Sequence, residues 1–156
     1  MIIIISSGRK YAKLTLHQGR KKQKIAKHNV NKIPDLSYIE FEGYKIYIGK
    51  NNIQNEYLTL KFANRNDIWF HTKDFHGSHI ILRVSEKPEL NTSNISNNLL
   101  DIIPINIIEY CAKLAKDNSK AKDETGTMVD YCLVKYVRKQ PSSKPGMVNY
   151  TNYKSI

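Results

Sequence analysis

Between Tyr38 and Ile48 the side chains fall into two interleaved sets: Tyr38, Glu40, Glu42, Tyr44, Ile46 and Ile48 against Ile39, Phe41, Lys45 and Tyr47, interrupted by Gly43. A period of two with a glycine break predicts a strand, a tight turn at Glu42-Gly43 and a second strand. Gly49 closes this hairpin. Asn51 or Asn52 is suited to cap a short helix running to about Ala63, with Ile53, Tyr57, Leu58 and Leu60 as its apolar face. Asn64–Asp67 is a polar connector into a third strand, Ile68–Thr72, whose partner after a turn is His79–Val84. Pro88 to Asn98, rich in Asn and Ser, reads as a loop or weak helix start. Ile102–Lys116 is the strongest helix, with Pro104 in its first turn and Ile105, Ile108, Ala112 and Ala115 spaced to face the sheet. Met128–Lys139 reads as one long strand, Pro141–Gly146 turns the chain, and Met147–Tyr150 is a last strand. Together these predict a single α+β domain: a largely antiparallel or mixed sheet of about six strands, with two main helices packed mainly on one face.

Composition adds a boundary. The 156 residues suit one domain, and 40% hydrophobic with 25% charged residues fits a globular protein. The formal charge of +11 is unevenly spread. Residues 1–32 hold nine basic residues and no acid, whereas the remainder sets sixteen basic residues against fourteen acidic ones, leaving only +2. The expected division is a flexible basic tail over 1–35, ending near Pro34-Asp35, and a folded domain over 36–156. Such an arm serves either as a nucleic-acid contact or as a solvated linker. Residues 1–19 resemble an added leader with a protease site and are set aside from fold reasoning. The Ile2–Ile5 run is too short to span a bilayer or to form a secretory core, so no membrane partner is expected. Cys111 and Cys132 lack metal or disulfide spacing and read as buried thiols in a reducing cytoplasm.

Polar groups without an evident packing role gather in two places. Asp67–Asp74 runs from an apolar strand core into His71, Thr72, Lys73 and Asp74, followed by Ser78 and His79. Gly49–Asn55 carries Lys50, Asn51, Asn52, Gln54 and Asn55, rich in amide donors and acceptors and able to cradle a phosphate or simply to cap a helix. A third group is cationic: Lys120, Arg138, Lys139 and Lys144, with Lys139 and Lys144 placed to frame a turn and Tyr136, Tyr150 and Tyr153 nearby to stack on bases. A solvated basic edge is the bland alternative. His71, Asp74, His76 and His79 do not have a strong metal spacing, and one imidazole bonded to a backbone carbonyl is the expected use. Ser78 and His79 are strand neighbours pointing to opposite faces, so they do not make a nucleophile–base pair. With no nucleophile elbow and no phosphate-loop motif, the chain is expected to be non-catalytic, without a cofactor or small-molecule substrate.

The segments GKNNIQNEYLTLKFA, DIWFHTKDFHGSHIIL and VDYCLVKYVRKQPSSKPGMVNYTNYKSI closely resemble the NFACT-R domain, the C-terminal part of RqcH/NEMF proteins, over roughly 36–156. Bacterial members are often labelled fibronectin-binding protein A. The resemblance implies an RNA-holding module (tRNA or ribosomal RNA) in a factor that acts on obstructed large ribosomal subunits and adds C-terminal alanine tails. Lys50 stands where the family frequently has arginine, His76 where it has proline, and Gln140–Ser143 where a Pro-x-Gly-Ala stretch is common. Two rival readings remain: a surface adhesin for fibronectin, from the family label, and a metal-dependent nuclease using His71, Asp74 and His79.

Overall fold

The computed structural model describes residues 33–90 and 98–156; the basic tail and the centre of the Asn/Ser-rich stretch lie outside the described residues. The hairpin forms as expected: β1 (Ser37–Phe41) pairs with β2 (Tyr44–Ile48) around Glu42 and Gly43, whose φ values of 46° and 77° make the left-handed two-residue turn that matches strand twist. Asn51 caps α1 (Asn52–Tyr57) by accepting the Gln54 amide at 2.9 Å. The helix then widens into a π-turn over Leu58–Phe62. Asn55, Leu58 and Thr59, at ordinary helical spacing, form the buried side, while Ile53, expected inside, is 58% exposed.

β3 (Ile68–Thr72) lies between β4 (Ile80–Leu82) and β5 (Val129–Leu133), and the six-stranded antiparallel sheet runs β1-β2-β4-β3-β5-β8, closed at its edge by a short β8 (Lys154–Ser155) that sequence periodicity had not indicated. Strand alternation sends Ile68 and Phe70 to one face and Trp69 to the other. The first face packs on α2 (Leu99–Ile102) and α3 (Ile105–Asp117) through Leu99, Ile107, Ile108, Cys111, Ala112 and Ala115. The second holds Leu58, Ile81, Cys132, Val134 and Val137 around Trp69. The two main helices thus flank the sheet on opposite faces rather than sharing one. α3 also begins later than expected, because Pro104 sits at its cap, and Ile105 is 61% exposed.

The expected strand Met128–Lys139 is broken. After Leu133 the chain makes a 3-10 turn over Val134–Tyr136, where the Val134 and Lys135 amides donate to the Asp67 and Arg65 carbonyls at 2.9 Å each. It resumes as β6 (Val137–Lys139), which pairs only with β7 (Val148–Tyr150). This ladder brings Val137, Val148 and Tyr150 against the Trp69 face. Asp67 fixes the break. Its buried carboxylate accepts the Asn64, Val84 and Ser85 amides and pairs with Arg83 at 3.1 Å.

Candidate nucleic-acid interface

Three short segments are sewn together beside the end of β3. The Ser78 amide donates to the Asn118 carbonyl at 3.0 Å and the Lys120 amide to the His76 carbonyl at 2.9 Å. Gly77 bridges Ser119 so closely that a Cβ there would lie 2.6 Å from the serine Cβ, so glycine is needed for approach rather than for its φ. Asn55 joins the third segment. Its Nδ2 donates to the Gly77 carbonyl at 3.1 Å, its Oδ1 accepts the His79 amide at 2.9 Å, and the Gly49 amide donates to the His79 carbonyl at 3.0 Å. The result is a cleft of about 260 Å³ lined by Gly49–Asn52, Asn55, His76–Ser78 and Asn118–Lys120. Its lining contains two lysines and no carboxylate. Neither Lys50 nor Lys120 is ion-paired among the described residues.

A second cleft of about 280 Å³ adjoins it at His76 and runs along the Trp69 face to Gln140, Met147 and Tyr150. Trp69 is fully buried, stacks on His71 (centroids 5.6 Å apart, planes at 10°) and meets the edge of His79 at 5.3 Å. His79 Nδ1 and the Thr59 hydroxyl lie 2.8 Å apart, so the imidazole uses a side chain rather than the expected backbone carbonyl. Burial pushes the His79 pKa down to about 3, helped by the neighbouring His71, and burial also lowers that of His71. The Tyr150 hydroxyl donates to Asp130 at 2.7 Å, and burial followed by this carboxylate holds its pKa above the ordinary value.

The residues singled out in the sequence separate by environment. Lys50, Asn51, Asn52, Ser78 and Lys120 share the acid-free cleft. His71, Asp74 and His79 share the Trp69 cleft, with Asp74 at φ 63° in its turn. Asn55 and His79 are turned inward and hold backbone or protein side chains. Gln54 bridges the Lys50 amide and the Asp35 carbonyl. Lys73 lines neither cleft. Arg138 curls onto the Lys135 and Val137 carbonyls. Lys139 is held by Glu56 and the Lys144 carbonyl, while Glu56 also accepts the Gly146 amide at 2.9 Å. The expected cationic turn from Lys139 to Lys144 is therefore organised around a carboxylate, which lowers its own pKa by bonding Lys139. Among the described residues, His71, Asp74 and His79 do not make a metal-holding cluster. Sequence reading had missed Asn118 and Ser119, which reach the cleft only through the Gly77 bridge and carry no local pattern of their own.

Among the described residues no helix is long and apolar enough to cross a membrane. The family model described as the NFACT protein RNA binding domain matches residues 36–152. A Bacillus subtilis protein named Rqc2 homolog RqcH is 39% identical over 148 residues, covering 94% of this chain and 22% of that protein. The Dictyostelium discoideum coiled-coil domain-containing protein 25 homolog is 29% identical over 114 residues, 72% of this chain and half of that protein. The solved C-terminal part of the Streptococcus suis fibronectin/fibrinogen-binding protein superposes with a TM-score of 0.63 at 29% identity, over 86% of this chain and 49% of that one. The chain thus spans about a fifth of the length of the RqcH relative.

Proposed function

The chain belongs to the family of NFACT protein RNA-binding domains, and on that premise we propose that its folded body grips RNA through the acid-free cleft, with Lys50 and Lys120 taking backbone phosphate and Asn51, Asn52 and Ser78 supplying neutral hydrogen-bonding groups. The observation that carries this reading is electrostatic. Lys45, Lys113, Lys139 and Lys154 are tied to carboxylates and other lysines stand singly on the surface, whereas Lys50 and Lys120 line one concavity that holds no carboxylate and are themselves unpaired among the described residues. An unpaired ammonium in a carboxylate-free concavity attracts a polyanion without first breaking an ion pair.

By likeness to RqcH, the RNA is transfer RNA or ribosomal RNA of the large subunit, met in the cytoplasm. The wider protein is then a ribosome quality-control factor that handles obstructed subunits and supports alanine tailing. The domain's part in this is to hold RNA rather than to cleave it. For fibronectin binding, the support is the name of the Streptococcus suis neighbour.

The test is a salt titration of RNA affinity for the full chain and for Lys50→Ala/Lys120→Ala. The slope of log affinity against log salt should become shallower by roughly 0.7 for each lysine that touches a single-stranded phosphate. An unchanged slope would remove the cleft from the RNA site and leave binding to the basic tail.

A further inference from the structure

We propose that the Trp69 cleft accepts one unstacked nucleobase of the RNA whose backbone lies in the neighbouring lysine cleft; the inference rests on the RNA-binding reading and deepens it. The two clefts meet at His76 but differ in chemistry. Asp74 lines the Trp69 side, and a carboxylate there disfavours phosphate while offering an acceptor to an exocyclic amine. Aromatic and apolar groups supply the rest: Trp69, His71 and Tyr150 within, and Phe75 and Met147 at the mouth, 36% and 43% exposed. Large apolar side chains left open to water around a cleft of about 280 Å³ suit a flat, uncharged ring rather than a charged group.

A second observation points the same way. Trp69 is fully buried, and its indole Nε1–H has no acceptor among the described residues. Buried indole N–H groups ordinarily find a partner. Bases carry ring nitrogens and carbonyl oxygens along their edges, the acceptors that such a donor lacks. The Gln140 amide adds a donor and an acceptor to the same lining. His71, kept neutral by burial, can serve as either partner without bringing charge into the cleft. The division is thus phosphate to Lys50 and Lys120, and base to the Trp69 side of His76.

Trp69 is the only tryptophan in the chain, so its emission, excited beyond tyrosine absorption, reports this cleft. The experiment titrates the full chain with a single-stranded decaadenylate RNA and with an abasic ribose-phosphate oligomer of equal length, reading emission and fluorescence polarisation. Decaadenylate should quench Trp69 and the abasic oligomer should not. Phe75→Ala should weaken decaadenylate about tenfold, in the range of one lost base–aromatic contact, and leave the abasic oligomer unchanged. Met147→Ala should act in the same direction, which guards against a Phe75 variant that misfolds. If both oligomers bind alike, emission stays constant and neither variant discriminates, the base site is overturned while the backbone reading stands. If Lys50→Ala/Lys120→Ala alters neither affinity, the RNA reading fails and takes the base site with it.

Discussion

At the scale of single residues, Asn55 shows how a polar side chain in a functional neighbourhood can be structural. Both ends of its amide close buried backbone groups, one on Gly77 and one on His79. Asn55→Ala leaves those groups unpaired and should cost about 2 kcal/mol of stability, seen as a lower denaturant midpoint at unchanged slope. His79 makes stability depend on pH. Its folded pKa, near 3, lies below the ordinary 6.5, so the unfolded chain takes up this proton first as pH falls. The stabilisation is complete above about pH 6.5 and declines toward pH 3 by about 1.4 kcal/mol per unit, with His71 contributing in the same direction. His79→Asn keeps a group able to face Thr59 and should flatten the melting temperature across that window relative to the native chain. A parallel decline in both proteins would show that other groups set the acid limit.

At the scale of elements, the cleft is a product of close approaches between loops. Gly49 and Gly77 each occupy a spot where a Cβ would collide, 2.1 Å from Asn55 Oδ1 and 2.6 Å from Ser119 Cβ. Gly77→Ala should force the 76–79 segment away from Asn118–Lys120, lowering stability by roughly 1–3 kcal/mol and separating Lys50 from Lys120. Polarisation with labelled RNA should then show weakened binding even at temperatures where circular dichroism reports a folded chain. The β6–β7 ladder is a second product of tertiary geometry. Met128–Lys139 is rich in β-formers and has no glycine or proline, so nothing local marks a break at Val134–Tyr136. The break comes from Arg65 and Asp67, far upstream in sequence, whose carbonyls take the amides of Lys135 and Val134. Lys139 consequently ends beside Glu56, and Lys139→Gln should loosen the 141–146 turn while leaving the salt slope of RNA binding near that of the native chain.

At the scale of the whole molecule, two cationic regions compete for any polyanion. The nine basic residues of 1–32 would contribute a salt slope of roughly 6 if all met single-stranded phosphate, well above the share of Lys50 and Lys120. Removing residues 1–32 should therefore make the slope much shallower, and the difference between Lys50/Lys120 and their alanine replacements should survive in the shortened chain. Loss of that difference would assign RNA binding to the tail. Local information in the sequence determined a good deal: the α+β class, the Glu42-Gly43 turn, an asparagine cap at 51 or 52, and two polar segments that each contribute part of a cleft lining. Each depends on neighbours a few residues apart, and propensity, period and turn chemistry act at that range. Tertiary structure alone decided that the helices take opposite faces, that Asn55 and Thr59 turn inward while Ile53 faces out, and that Lys50 and Lys120 line one cleft while Lys139 is paired with Glu56. Which of these ammonium groups is available to a ligand depends on side chains up to 83 positions apart in sequence, and short-range patterning holds no record of such pairs.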